Sequence, residues 1–237
     1  MQSRRERVRQ AAIEEIKSIA WDIAAEDGTE QVTVNGIARR MGMTPPAFYS
    51  YFKSRDDLLG ALVVDAYRSF RHALIDARDS LPQADPAARL FHLFMAYREW
   101  AVTNPNMFGL FAGRRVHGFK TQDPKVVEEA DKVYDIFLSL YEEVWEDGAI
   151  IPPQAERNLP SDYASEIDVF LENRKLSLPR EVFNRILRNA MLVHGMISME
   201  LSGRFSQLAG NSKQFYCFQI LDMMREIGID YSPDHDF

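Results

Sequence analysis

Small, hydroxylated and aromatic side chains stand together between residues 44 and 50, and two basic residues follow them. Such side chains suit a surface that lies in the major groove of DNA, where hydroxyls bond base edges and small groups contact thymine methyls. Lys53 and Arg55 come at the start of the next predicted helix, close to where a phosphate would lie. The residues predicted to point away from the apolar seam are Thr44, Pro45, Pro46, Ala47, Tyr49 and Ser50.

Two short helices and a tight turn are predicted to position this surface. Val34, Ile37, Ala38 and Met41 recur at helical spacing, and Thr33 before them can cap the helix through its hydroxyl. Gly42 follows at once, and a glycine there can adopt positive φ and reverse the chain. Thr44 is a second candidate N-cap, and Pro45 suits the first helical position, which needs no N–H.

The second helix is predicted to bury Phe48, Tyr51 and Phe52, while Ala38 keeps the crossing with the first helix close. This is the arrangement of a helix-turn-helix. The spacing alone fits an ordinary helical hairpin in an all-α core equally well, because amphipathic helices joined by glycine are common. The exposed surface and the basic residues beside it favour the DNA interpretation.

The stretch resembles the DNA-binding domain of the TetR family of one-component transcriptional regulators. Twelve positions match the family pattern in register, so the signal is specific. They are Thr33, Ile37, Ala38, Gly42, Met43, Thr44, Phe48, Tyr49, Tyr51, Phe52, Arg55 and Leu58. The chain departs from the pattern at Gly36 and at the Pro45-Pro46 pair, so the resemblance does not extend to the DNA sequence that is read.

The resemblance implies a regulator that binds double-stranded operator DNA and is itself controlled by a small-molecule effector. The residues predicted to contact DNA are Thr33, Thr44, Pro45, Pro46, Ala47, Tyr49, Tyr51, Lys53 and Arg55. Residues 1–55 are predicted to form the DNA-binding domain, and residues 56–237 a helical domain for effector binding and dimerisation. The predicted fold class is therefore all-α.

The charge distribution agrees with DNA binding although the net charge of the 237 residues is −7. The basic excess lies in residues 1–55, which contain nine Lys or Arg and seven Asp or Glu. No apolar run approaches the roughly 18 residues of a membrane span, and no secretory h-region follows the basic N-terminus. The single cysteine, Cys217, excludes an internal disulfide framework and a cysteine-based metal site. A cytoplasmic protein with no cofactor or metal is expected.

Helical periodicity continues through the rest of the chain. The first helix is predicted from Arg7 to Asp27, before the helix-turn-helix. After the helix-turn-helix, helices are predicted at 58–81, 86–103, 105–111, 126–146, about ten residues from 162, 179–205 and 211–227. Between them, residues 112–124 contain Arg114, Arg115, His117 and Lys120, and this segment is interpreted as a solvated loop rather than an anion site. The last two helices carry more apolar surface than one chain need bury, and the resemblance implies a homodimer through residues 179–205 and 211–227.

The helix from Pro179 resembles a TetR subgroup, the WHG type, that carries a His-Gly pair before a Leu-Glu-Leu-like run. Here the pair is His194 and Gly195, followed by Glu200, and the usual Trp is not evident. Aromatic and polar residues on several helices predict a wall for a small apolar or aromatic ligand. The candidates are Tyr97, Trp100, Phe108, Phe137, Tyr141 and His194. Filling of the core is the alternative for each of them.

Motifs of the common enzyme classes are missing: the sequence has no P-loop, dinucleotide fingerprint, G-x-S-x-G or H-E-x-x-H. The expected function is therefore a repressor that a ligand releases from a pseudo-palindromic operator, and not an enzyme. Two alternatives stay open. One is a helical ligand carrier or enzyme with structural N-terminal helices, and the other is a DNA-binding scaffold controlled by a protein partner.

Overall fold

The computed structural model describes residues 3–83, 85–111, 123–152, 159–205 and 210–233, and these ranges contain ten α-helices and no strand. The all-α prediction is confirmed. The helices are α1 (Arg4–Asp27), α2 (Val34–Met41), α3 (Pro45–Phe48), α4 (Arg55–Asp79), α5 (Pro86–Thr103), α6 (Pro105–Phe111), α7 (Pro124–Glu146), α8 (Ser161–Arg174), α9 (Arg180–Leu201) and α10 (Ser212–Arg225). A 3₁₀ turn, Thr29–Gln31, connects α1 to α2.

Helix α1 begins three residues earlier than its apolar periodicity predicts. The Ser3 side chain accepts from the N–H of Glu6, and the Glu6 carboxylate accepts from the N–H of Ser3 at 2.9 Å, which is a complete capping box. The helix ends at Gly28, whose φ of 92° few other residues adopt at low cost. About three turns of helix therefore precede Ile16, the first fully buried side chain of α1.

The described chain divides into two compact units, and the division falls inside α4 and α7. The first unit is Met1–Ser69 with Asn104–Lys132. Its core joins side chains of α1, α2, α3 and α4 to Leu110 of α6 and Val126 of α7. The largest fully buried members from α1 to α4 are Ile16, Ile37, Phe48, Leu58, Leu59 and Leu62. Helix α6 thus packs with the N-terminal helices.

The second unit, Phe70–Thr103 with Val133–Phe237, packs α5, α8, α9 and α10 with the later part of α7. Polar bonds fix the antiparallel pair of α9 and α10 at both ends. Glu226 of α10 accepts from Arg185 at 2.6 Å, and Glu200 of α9 accepts from the Ser212 hydroxyl at 2.6 Å. Burial of Tyr216, whose hydroxyl donates to the carbonyl of Phe94, attaches α10 to α5.

The boundary predicted at residue 55 separates two functions, whereas the two units are defined by packing. The functional boundary therefore stays a prediction. The loop predicted at residues 112–124 lies outside the described residues except for its last two. Within the described ranges, no helix combines the length and the hydropathy that crossing a lipid bilayer requires.

Candidate functional site

Helix α2 and the turn after it have the local geometry that the sequence predicts. The Thr33 hydroxyl accepts from the N–H of Gly36 at 3.1 Å, so Thr33 is the N-cap. Gly42 adopts φ 66° in the left-handed region and ends the helix. The N–H of Met43 then bonds the carbonyl of Ala38 at 2.9 Å, which closes the turn.

Gly36, a departure from the family pattern, has a steric reason here. A Cβ built at this position would lie 3.1 Å from the Thr33 hydroxyl oxygen, the same oxygen that caps α2. A larger residue would therefore crowd the cap. The glycine costs some helix propensity but leaves the capping hydroxyl where it is.

Helix α3 presents the predicted polar and small surface to solvent. Phe48 is fully buried and stacks on Phe52 with a ring-centroid distance of 5.8 Å. Tyr49, the next residue, is 54% exposed. The other exposed residues of this surface are Thr33, Thr44, Pro45, Pro46, Ala47, Ser50 and Lys53. The prediction that residues 44–47, Tyr49 and Ser50 point away from the core is confirmed.

Helix α3 has four residues and begins with two consecutive prolines, which suit the first helical positions. Thr44 is the N-cap residue, with an extended backbone, but its side chain makes no capping bond. The N–H of Ala47 instead bonds the Thr44 carbonyl at 2.9 Å, and turns closed by i to i+3 bonds continue to Tyr51. The Thr44 hydroxyl is consequently available to a ligand outside the fold.

Two contacts with α1 hold this helix-turn-helix in place. Arg9 donates from Nη2 to the carbonyl of Ser50 at 3.3 Å, at the end of the turn that follows α3. Arg40 of α2 pairs with Glu26 at 2.5 Å, and this ion pair lowers the pKa of the Glu26 carboxyl. Both contacts lie on the exterior, so they orient the elements while the apolar core supplies most of the stability.

Arg55, predicted to contact a phosphate, has a further role within the fold. Its guanidinium donates to the carbonyls of Val32 at 2.5 Å and of Thr29 and Glu30 at 3.3 Å each. These carbonyls belong to the connection between α1 and α2. Lys53 is exposed, whereas Tyr51 is half-buried against the core. The carbonyl contacts of Arg55 could not be predicted from local spacing, because the three acceptors lie 23 to 26 residues away.

A second cluster of interest is an aromatic group in the second unit. Tyr97 contacts Phe70 at 4.5 Å and Phe137 at 6.4 Å between ring centroids, and its hydroxyl lies 3.0 Å from Nδ1 of His194. Trp100 extends the cluster through Phe70 at 4.7 Å. The cluster thus contains both rings and a polar pair.

Five of the six predicted ligand residues lie in this unit, and Phe108 lies in the first unit, where it is buried. Tyr97, Phe137 and His194 are half-buried, while Trp100 and Tyr141 are buried. Phe94 connects Phe137 to Tyr141, and burial raises the pKa of the Tyr141 hydroxyl far above its usual range. Tyr141 is therefore enclosed in the core of the second unit, and its role as a ligand contact stays a prediction.

Sequence reasoning missed two members of this region. Phe70 lies on the apolar face of α4, and its spacing from Leu74 marks it only as a core residue. Arg98, directly after Tyr97, forms a two-pronged ion pair with Glu200 of α9, with one N–O distance of 2.9 Å. Arg98 is one of three charged residues in a mostly apolar helix, and this is the sequence signal that could have identified it.

The described part of the chain contains no group of three or more His, Cys, Asp or Glu placed to hold a metal ion. The structure therefore offers two candidate sites. One is the exposed helix-turn-helix surface in the first unit, and the other is the aromatic cluster with its polar pair in the second unit.

Comparison with known proteins agrees with this arrangement. Residues 17–62 match the family described as "Bacterial regulatory proteins, tetR family". Residues 90–223, more than half of the chain, match the family described as "Tetracyclin repressor-like, C-terminal domain". Together the two matches cover the helix-turn-helix and most of the second unit.

Individual proteins are similar as well. The HTH-type transcriptional regulator Rv1816 of Mycobacterium tuberculosis is 33% identical over 113 residues, which cover 48% of this chain and 48% of that protein. The chain thus aligns with about half the length of this relative. The nucleoid occlusion factor SlmA of Marinobacter nauticus is 24% identical over 185 residues, covering 78% and 88% of the two chains.

A solved structure extends the likeness to the whole fold. SCO4313, described as a candidate regulatory protein, superposes with a TM-score of 0.75 at 28% identity, over 94% of this chain and 100% of that one. The matches over residues 17–62 and 90–223 identify the family directly. The chain belongs to the TetR family of bacterial regulatory proteins.

Proposed function

We propose that the protein is a dimeric transcriptional repressor that binds a pseudo-palindromic operator and is released from it by a small apolar or aromatic ligand. The observation that carries the DNA-binding part is the exposure of residues 44–47 and Tyr49 around the fully buried Phe48. A surface of this kind, fixed by a core residue at its centre, is what a helix needs to enter a major groove. The protein would act in the cytoplasm, where its operator lies.

Contacts to DNA would divide between base edges and phosphates. Thr44, Pro45 and Ala47 approach base edges in this proposal, with Thr33, Pro46 and Tyr51 beside them. Tyr49, Lys53 and Arg55 would contact phosphates, Arg55 through guanidinium donors left over from its carbonyl bonds. Residues 1–55 form the DNA-binding domain in functional terms, and residues 56–237 carry effector binding and dimerisation.

Dimerisation through α9 and α10 is supported by exposed apolar side chains on both helices. Met191, Leu192 and Met199 lie on one face of α9 around Gly195, where no atom lies within 4 Å of a built Cβ. On α10, Phe215 and Phe218 are exposed. A second copy of residues 179–205 and 211–227 would cover these side chains in a four-helix bundle. The recognition helices would then reach successive major grooves, roughly 34–36 Å apart.

Ligand binding is assigned to the half-buried part of the aromatic cluster. Tyr97 and Phe137 supply apolar contact, and the hydrogen bond between Tyr97 and His194 supplies a polar anchor within it. A small number of polar groups in an apolar wall is typical of a small-molecule site. Trp100 stands behind this wall, and the buried Tyr141 is a further candidate in the same unit. Phe108, buried in the first unit, stays a separate prediction. The His194-Gly195 pair also supports membership in the WHG-type subgroup.

Helix α4 is the element through which the ligand would act. Its first half contributes Leu58, Leu59 and Leu62 to the core of the first unit, and its second half contributes Phe70 and Leu74 to the second unit. A ligand that fits only one position of this helix favours that position. Release follows if that position sets the two recognition helices at the wrong separation. Linkage then requires DNA to weaken ligand binding by the same factor.

A gel shift on the DNA that flanks the protein's own coding region tests the proposal, run with and without a cell extract. The expected result is a shifted band that the extract abolishes. Once an active compound is purified from the extract, its affinity is measured with and without operator DNA. Equal affinities would exclude ligand-driven release, and absence of a shift with any flanking DNA would contradict the repressor proposal.

One alternative keeps DNA binding but removes the ligand. This alternative is a DNA-binding scaffold controlled by a protein partner, and the similarity to SlmA, whose name as a nucleoid occlusion factor mentions no small ligand, is consistent with it. A gel shift that persists with every small-molecule fraction of the extract, but responds to a protein fraction, would favour it. The carrier or enzyme alternative has no comparable observation behind it.

A further inference from the structure

The first two turns of α1 form a basic, solvent-exposed helical extension. Residues 3–11 are all exposed, and they contain four arginines and one glutamate. Glu6, the single acidic residue, uses its carboxylate in the capping box with Ser3. The match to the N-terminal family description begins only at residue 17, so this extension lies outside it.

The position of these arginines conflicts with the stability of the helix itself. The N-terminus of an α-helix carries a partial positive charge, so acidic residues are favoured in its first turn and basic ones are unfavourable. Arg4, Arg5 and Arg7 nevertheless occupy this turn of α1. Residues that destabilise the helix in which they lie are expected where those residues serve a function.

A contact of Arg9 determines which side of the extension faces the recognition segment. Arg9 donates to the carbonyl of Ser50, directly after the exposed Tyr49. Arg5 lies one turn earlier, rotated by only about 40° and displaced by about 6 Å along the axis. Arg7 lies about 200° from both and points to the other side of the helix. Arg5 and Arg9 therefore form a stripe that continues the recognition surface outward.

We propose that this stripe, Arg5 with Arg9, binds phosphates of the operator beyond the base pairs that α3 reads. The inference rests on the proposed DNA-binding function and extends its footprint. Arg9 donates one of the five N–H groups of its guanidinium to Ser50, which leaves four for other acceptors. Among the described residues, no hydrogen bond or ion pair to Arg5 is found, and the rest of the chain is net acidic, so DNA is the matching partner by charge.

The test measures binding as a function of salt concentration for wild type, Arg5→Gln and the matched control Arg7→Gln. The DNA probe is a duplex selected on the wild-type protein from random duplexes of about 40 base pairs, some four turns of B-DNA. Loss of one phosphate contact per chain, two per dimer, should make the slope of log K against log salt about 1.8 less negative. Arg7→Gln should change the slope by less than half as much.

Two further measurements locate the contact. Arg5→Lys should keep the wild-type slope, because a lysine preserves the charge that displaces counterions. On a duplex trimmed to the outermost selected base pairs, Arg5→Gln should lose its effect, since the flanking phosphates are gone. Removing Arg5 relieves an unfavourable charge at the helix N-terminus, so weaker binding would not reflect unfolding of α1.

Equal effects of Arg5→Gln and Arg7→Gln, or no change of slope in either, would overturn the inference. So would an effect of Arg5→Gln that persists on the trimmed duplex. Failure of the proposed function looks different, because the wild-type protein would then select no duplex at all. A wild type that selects a duplex while Arg5→Gln behaves like wild type contradicts this inference alone.

Discussion

Nε of Arg55 donates to the carbonyl oxygen of Val32 at 2.5 Å, and so α4 is bonded to the residue that precedes the N-cap of α2. The same guanidinium reaches the carbonyls of Thr29 and Glu30. Arg55 is thus a positioning residue for the helix-turn-helix in addition to its predicted phosphate contact. A displacement of the start of α4 would pull on the start of α2.

Replacing Arg55 by Lys separates these two roles. A lysine keeps the positive charge for a phosphate but lacks the fork that reaches three carbonyls. We expect Arg55→Lys to lower the free energy of unfolding by roughly 1–2 kcal/mol and to weaken operator binding. Thermal unfolding and a gel shift measure the two effects. Wild-type stability and affinity in Arg55→Lys would show that only the charge matters.

Lys53→Ala is the matched control for this experiment, because Lys53 is exposed and its side chain lies outside the core of the first unit. We expect it to leave thermal unfolding unchanged. It should weaken binding to all DNA sequences alike and reduce the salt dependence. A change in the preferred sequence would mean that Lys53 contacts bases.

The exposed apolar face of α10 can be tested with one charge. We expect Phe218→Glu to turn a dimer into a monomer, because a carboxylate buried in the bundle without a partner is costly. Val169→Glu on α8 is the control, since Val169 is 56% exposed and Phe218 is 58% exposed. Light scattering at micromolar concentration reports the mass. Dissociation by Val169→Glu, or none by Phe218→Glu, contradicts the assignment of the dimer face.

Tyr97→Phe removes the hydroxyl that lies 3.0 Å from His194 while it keeps the ring in the aromatic cluster. We expect operator affinity to stay within about twofold of wild type. The concentration of active extract fraction needed for half release should rise about tenfold, the worth of one hydrogen bond. Tyr134→Phe, at an exposed position of α7, is the control. An unchanged response in Tyr97→Phe would remove this pair from the ligand site.

Glu129 gives a prediction about pH. Its carboxylate is buried, which by itself raises the pKa, but hydrogen bonds from Arg68 at 3.1 Å and Lys132 at 3.2 Å outweigh burial and lower the pKa. A carboxyl with a lowered pKa in the folded state stabilises the fold above its unfolded value of 4.5, and this stabilisation is lost as the pH falls through the folded value.

We therefore expect Glu129→Gln to cost about 1 kcal/mol of unfolding free energy near neutral pH and progressively less on acidification. Glu128→Gln is the control, because Glu128 also bonds Lys132, at 2.7 Å, but is largely exposed. Chemical denaturation across the acidic range measures both. A cost of Glu129→Gln that is independent of pH would exclude the charge as its origin.

Local signals account for what the sequence predicted well. Thr33, Gly42 and Pro45 act within a few residues of their position, so caps and turns could be assigned from spacing. The start of α1 at Arg4 was missed although Ser3 and Glu6 form a recognisable capping box. Apolar periodicity does not detect this start, because the exposed first turns have no apolar repeat.

Contacts between distant residues could not be predicted. Leu110 and Phe108 belong to a short apolar helix that could pack on any core, and the structure puts it with the N-terminal helices. The Arg55 fork and the Arg98–Glu200 ion pair depend on which helices meet. The exposed Met191 and Met199 also differ from the core filling that their type suggests.

The central claim is that the surface around Thr44 reads DNA as one half of a dimer. The most direct test is selection of duplexes by wild type and by Thr44→Ala. Wild type should enrich a pseudo-palindrome with half-sites about one helical turn apart, or a multiple of it, bound by two chains. Thr44→Ala should relax the preference at one position in each half-site, at a cost of about 1–3 kcal/mol on the wild-type sequence. Enrichment of no sequence by the wild-type protein would contradict the account.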